Sequence, residues 1–173
     1  FVSLGCDKNL VDTETMLGAQ ASSQQFEKIM SYMDVAKAEG AEILTGGAIE
    51  QLSGDLSSGF YIQPTLLKGH NKMRVFQEEI FGPLLPIITY KEINEVIQYV
   101  QSHDSPLALY IFSSNHKLIK QLSRTIKYGG GCINDVVIHL ATPYMPFGGV
   151  GGSGIGSYHG KAGFETFTHY KSI

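Results

Sequence analysis

Apolar and polar positions change period several times along this chain. Phe26, Ile29, Met30 and Met33 recur at i, i+3, i+4, i+7, the spacing of one helical face. Ser22 or Ser23 is the N-cap of that helix, and Gly40 ends it. Glu42–Thr45 reads as a strand closed by Gly46 and Gly47, and residues 48–59 read as a polar surface loop. Residues 60–63 form a second strand, stopped by Pro64. A third covers residues 84–90, where Pro86 marks an edge or an irregular start. Ile93, Val96, Ile97 and Val100 return to the helical period. Residues 107–112 are continuously apolar, as in a sheet buried on both faces. Leu118, Ile119, Leu122 and Ile126 predict another helix, ended by Gly129, Gly130 and Gly131, and residues 132–134 begin a short strand. Residues 164–170 read as a terminal strand. At the start, residues 2–6 read as a short strand and Asp12, Thr13 and Glu14 open a helix. Strands alternating with helices predict an α/β fold built of βαβ units around a largely parallel sheet.

Composition narrows the class. A chain of 173 residues with 43% hydrophobic and 17% charged positions makes a real core and is not a disordered polymer. The formal charge of −3, with no basic tract, gives neither nucleic acid nor an anionic membrane surface an electrostatic reason to bind. No apolar run reaches the ~18 residues that span a bilayer, and the first residues do not have the pattern of a secretion signal. Cys6 and Cys132 cannot build a disulfide framework, and a reducing cytoplasmic setting fits them best.

The candidate chemistry is sparse on residues alone. Gly149, Gly151 and Gly154 match G-x-G-x-x-G, but no helix and no acidic partner follow as a dinucleotide fingerprint requires, so a tightly packed loop is the better reading. Cys6 stands beside Lys8, a neighbour that favours thiolate, while Cys132 lies in an apolar stretch that suits a buried thiol. The histidines show no metal-ligand spacing and neither cysteine belongs to a C-x-x-C, so no metal site is expected. Glu78 and Glu79, before Gly82 and Pro83, form either a carboxylate pair for acid–base work or a solvated turn.

The run Glu78-Glu79-Ile80-Phe81-Gly82-Pro83 resembles the aldehyde dehydrogenase superfamily. Downstream, Pro106 to Ser113, Gly130 to Asp135 with Ile138-His139-Leu140, Pro146 to Gly151, Tyr158 to Lys161 and Phe164 to His169 resemble its class 3, or fatty-aldehyde, branch. Gly18-Ala19-Gln20, the helix ending at Gly40, and Leu44 to Gly47 are similar to the class 1/2 branch. Residues 1–17, with Val2 to Glu14, resemble instead the start of the ribosomal-protein methylthiotransferases, where the cysteine matching Cys6 is one of three ligands of an iron–sulfur cluster. One thiolate cannot hold such a cluster. The chain thus reads as a mosaic: a foreign-looking lead over 1–17, a partial aldehyde dehydrogenase catalytic domain over 18–163, and a terminal oligomerisation strand over 164–173.

The resemblance implies oxidation of aldehydes to acids with NAD or NADP, in a dimer or tetramer. It implies that Glu79 hydrogen-bonds the nicotinamide ribose, that Phe81 packs near the nicotinamide, and that Phe147 lines the aldehyde pocket. A carboxylate suits a diol, because its two oxygens can accept from both hydroxyls. The family's nucleophile motif, of Gly-Gln-x-Cys type, is not in this sequence. Cys132 matches a non-catalytic position, and Cys6 is the only other thiol that could substitute. The expectation is therefore an inactive aldehyde dehydrogenase-like fragment that binds little cofactor alone. The alternatives are a non-catalytic module that self-associates through the terminal strand and, more remotely, a methylthiotransferase fragment.

Overall fold

A computed structural model describes residues 17–173. The strand and helix expected before residue 17, and Cys6 with them, lie outside the described residues. The chain divides into two compact units, one ending at Thr89 and the other beginning at Tyr90. Two units form because the apolar residues gather into two separate clusters, the first beside two sheets and the second beside one.

The first unit opens with α1 (Ser23–Ala38), capped by Ser22, whose hydroxyl accepts from the Gln25 amide at 3.2 Å. β1 (Glu42–Thr45) pairs antiparallel with β4 (Thr65–Lys68), and β4 pairs parallel with β5 (Leu84–Ile87). β2 (Ile49–Glu50) and β3 (Tyr61–Ile62) form a small antiparallel ribbon. Ile29, Met33 and Ala36 of α1 share one core with Ile62, Leu67, Val75, Ile80 and Leu84. Thr65 is a polar residue in that core, and its hydroxyl is satisfied by Gln63 O at 2.7 Å and the Gly47 amide at 2.9 Å.

In the second unit, α2 (Ile93–Gln101) precedes β6 (Ala108–Ile111), α3 (His116–Thr125) and β7 (Gly130–Ile133). β6 and β7 are parallel, with Tyr110 opposite Cys132, so β6-α3-β7 is a βαβ unit. Ile97, Ile111, Ile119, Leu122 and Ile126 make its core. α4 (Gly160–Thr166) is the last element.

The expected α/β fold with parallel strand pairs is present in β4–β5 and β6–β7, and β1–β4 and β2–β3 add antiparallel pairs. Two expectations change. Residues 107–112 are not covered on both faces, since Leu107 and Phe112 stay exposed beside a sheet of only two strands. Residues 164–170 form no strand. Phe164 and Phe167 are spaced i, i+3, α4 runs through Thr166, and the Thr166 hydroxyl donates to Ala162 O at 2.8 Å. Among the described residues no neighbouring strand offers that segment a ladder.

Candidate active site

Glu79 and Phe81 sit in the segment between the 3-10 turn Arg74–Phe76 and β5, all in the first unit. Burial alternates along it. Glu79 and Phe81 face solvent, Phe81 with 76% of its surface exposed, while Ile80 between them enters the core. No described residue hydrogen-bonds or ion-pairs the Glu79 carboxylate. Phe81 has φ of 54°, a left-handed conformation that costs a non-glycine residue about 1–2 kcal/mol. Its carbonyl accepts from Gln25 Nε2 at 2.8 Å. Gly82 comes so close to α1 that a Cβ there would stand 2.5 Å from Ile29 Cδ1, so only glycine fits.

Glu78 is engaged quite differently from Glu79. Arg74 Nε donates to Glu78 Oε1 at 2.8 Å, and Nη2 donates to Oε2 at 3.2 Å. The buried Tyr32 hydroxyl donates to Oε2 at 2.7 Å, and the guanidinium stands 5.4 Å from the Tyr32 ring centre. These bonds, Arg74's first and Tyr32's next, hold the Glu78 carboxyl below the usual carboxylate range. The same hydrogen bond to Glu78 pushes the Tyr32 phenol up. Glu78 and Glu79 are therefore not a working carboxylate pair: one is bound to its own unit, and the other has no partner among the described residues.

Phe147 lies in the second unit, joined to Tyr158 by a two-way backbone bridge of 2.8 and 2.9 Å. Its ring centre is 5.8 Å from that of His139 and 5.9 Å from that of His159, the latter stacked at 26°. His139 is 7% exposed and lies against Gly130, where a Cβ would meet its ring carbon at 2.8 Å. The Tyr110 ring meets it edge-on, and Cys132 Sγ is 3.6 Å from its Nδ1. His139 Nε2 and His159 Nδ1 are buried without a hydrogen-bond partner. Cys132 is half-buried rather than enclosed.

Gly149, Gly151 and Gly154 fall in a loop with a short 3-10 turn, Gly151–Ser153, where the Val150 amide donates to Ser153 Oγ at 2.9 Å. Among the described residues no three His, Cys, Asp or Glu side chains are placed to hold a metal, and no helix is long and apolar enough to cross a membrane. Sequence reasoning did not single out Gln25, Tyr32 and Arg74, and it gave Tyr110 and His139 only as members of family-like runs. The signal for Gln25 and Tyr32 is their spacing about Ile29, i, i+4 and i+7 on one stripe of α1.

The profile of the aldehyde dehydrogenase family matches residues 4–173, so this chain belongs to that family. The match takes in most of residues 1–17, the segment read as a separate lead. An acetaldehyde dehydrogenase of Pseudomonas aeruginosa is 45% identical over 163 residues, covering 94% of this chain and 32% of the relative. The dimeric NADP-preferring aldehyde dehydrogenase of Canis lupus familiaris is 42% identical over 90% of this chain and 32% of its own length. A crystallised indole-3-acetaldehyde dehydrogenase of P. syringae, in complex with NAD+, superposes with a TM-score of 0.84 at 30% identity, covering 96% of this chain and 33% of that one. The chain thus spans about a third of the length of the relatives it matches.

Proposed function

We propose that this chain forms the nicotinamide-facing and aldehyde-facing walls of an NAD- or NADP-linked aldehyde dehydrogenase. The observation that carries the reading is the pair Glu79 and Phe81: an exposed, unengaged carboxylate two residues from an exposed aromatic ring. The residues fit the cofactor, since both Glu79 oxygens are open to the hydroxyls of a ribose and the Phe81 ring offers an apolar face. Bound NAD(P) would serve as the hydride acceptor of the family's aldehyde oxidation. Glu79 holds the ribose in place, and Phe81 shields one face of the site from water. Phe147, packed beside His139 and His159, is the apolar wall met by an aldehyde.

By itself the chain does not turn aldehydes over, because its sequence does not contain the family's nucleophile motif. It works in a reducing, cytoplasmic setting, consistent with the free thiol of Cys132. The test is cofactor reduction followed by absorbance, with NAD or NADP and one aromatic and one long-chain aldehyde, before and after thiol alkylation. No turnover from folded chain, together with NAD+ binding that weakens in Glu79→Gln, is the expected result. Alkylation-sensitive turnover would show that Cys6 or Cys132 serves as nucleophile and would overturn the reading of an inert segment.

A second reading, self-association through the C-terminal segment, is favoured by Phe164 and Phe167, which are 71% and 91% exposed on and just beyond α4. Contiguous exposed aromatics mark interaction surfaces. Sedimentation velocity over a concentration series tests it: a monomer at every concentration rules it out.

A further inference from the structure

Glu79 has no anchor of its own, yet a carboxylate that must meet a diol has to be held to within about 0.5 Å. The anchors are on its neighbours. Gln25, Ile29 and Tyr32 lie at i, i+4 and i+7 on α1, and each touches the segment 78–82 at a different point. Tyr32 holds the Glu78 carboxylate, Gln25 holds the Phe81 carbonyl, and Ile29 packs against Gly82. Arg74 closes the arrangement from the preceding turn, and its own amide is tied to Glu39 Oε2 at 2.8 Å. The Arg74–Glu78 pair alone is an exposed i, i+4 contact, a type that contributes little to stability. The Tyr32 hydroxyl differs: it is fixed by a buried ring and bridges 46 residues of chain.

We propose that Tyr32 and Glu78 are positioning residues, which with Gln25 and Ile29 clamp the segment 78–82 to α1 so that Glu79 and Phe81 are presented outward in one fixed orientation. This rests on the reading of Glu79 and Phe81 as the cofactor-facing pair. The clamp explains why two adjacent glutamates have opposite fates: Glu78 is consumed in fixing the backbone, and Glu79 is left for the ligand. It also explains how Phe81 persists at positive φ, since its carbonyl is tied and the next residue is packed against Ile29.

The experiment uses the whole chain, labelled with nitrogen-15, as wild type, Tyr32→Phe, Glu78→Gln and Glu79→Gln. In wild type the backbone order parameters at residues 79–82 should be near about 0.85; in Tyr32→Phe and Glu78→Gln they should fall below about 0.6 while β4 is unchanged. Glu79→Gln should leave them at the wild-type level. The amide resonances of 79–82 should also report the acidic titration of Glu78. Read in a Glu79→Gln background, where Glu78 is the one carboxylate of residues 78–82, that titration should move to higher pH when Tyr32→Phe is added and vanish when Glu78→Gln is added, a signature that loss of packing does not produce. NAD+ affinity should weaken roughly fivefold in Tyr32→Phe, the worth of one hydrogen bond. Unchanged order parameters and an unchanged titration in Tyr32→Phe overturn the clamp, and this conservative variant decides the matter if Glu78→Gln fails to fold. Equal NAD+ response in wild type and Glu79→Gln overturns the cofactor reading instead, and the order parameters then decide the clamp by themselves.

Discussion

Neighbouring side chains of one type can do opposite work, and Glu78 and Glu79 show how. The carboxyl of Glu78 is held below its ordinary range by Arg74 and Tyr32. A depressed folded-state value means its stabilisation is complete above the unfolded value of about 4.3 and is lost as pH falls through the folded one. Glu78→Gln should therefore flatten the acid limb of stability below about pH 4 relative to wild type, as read by thermal unfolding across a pH series. A limb of equal slope in both proteins would show that the Arg74–Tyr32 contacts add nothing. Gly82 is the second telling residue. Its missing Cβ is the space filled by Ile29, which is completely buried. Gly82→Ala should lower stability by about 1–3 kcal/mol through overpacking, measured as a shift in the urea midpoint.

At the scale of elements, local signals and packing divide the labour. α3 starts where Asn115 Oδ1 accepts from the amides of Lys117 and Leu118, at 3.0 and 3.2 Å. Asn115→Ala should cost about 1 kcal/mol, visible in chemical denaturation, with the sheet register of β6 and β7 retained. Helices α1, α2 and α3 were legible from the recurrence of Ile29 and Met33, Ile93 and Ile97, and Ile119 and Leu122, because each presents one apolar stripe to a core. β4 was not legible. Pro64 reads as a strand stop, yet the ladder resumes one residue later, where the Thr65 amide donates to Pro83 O at 2.8 Å. Pairing across the chain, which a local pattern does not encode, decides that segment. The same limit applies to α4, in the segment 164–170 that read as a terminal strand. Of the candidate residues, Glu79, Phe81 and Phe147 were legible only as parts of motifs. Their supports, Tyr32 and Gln25 in one unit and His139 and Tyr110 in the other, come from distant segments that the fold brings in.

At the scale of the whole chain, two cores imply a seam in sequence. β5 ends at Ile87, α2 begins at Ile93, and residues 89–92 between them are exposed. Limited trypsin digestion should cut first after Lys91, giving two resistant pieces by mass spectrometry; early cuts spread evenly over the lysines and arginines would contradict separate units. The strain at Phe81 has a consequence on this scale too. A glycine there would relieve the left-handed backbone, so selection for heat resistance alone would drift toward Phe81→Gly. The sturdier chain would have lost the exposed ring of the segment proposed to face the cofactor. Thermostability and the proposed cofactor contact therefore pull this position in opposite directions, and a library screened only for survival on heating would enrich well-folded proteins that lack this ring.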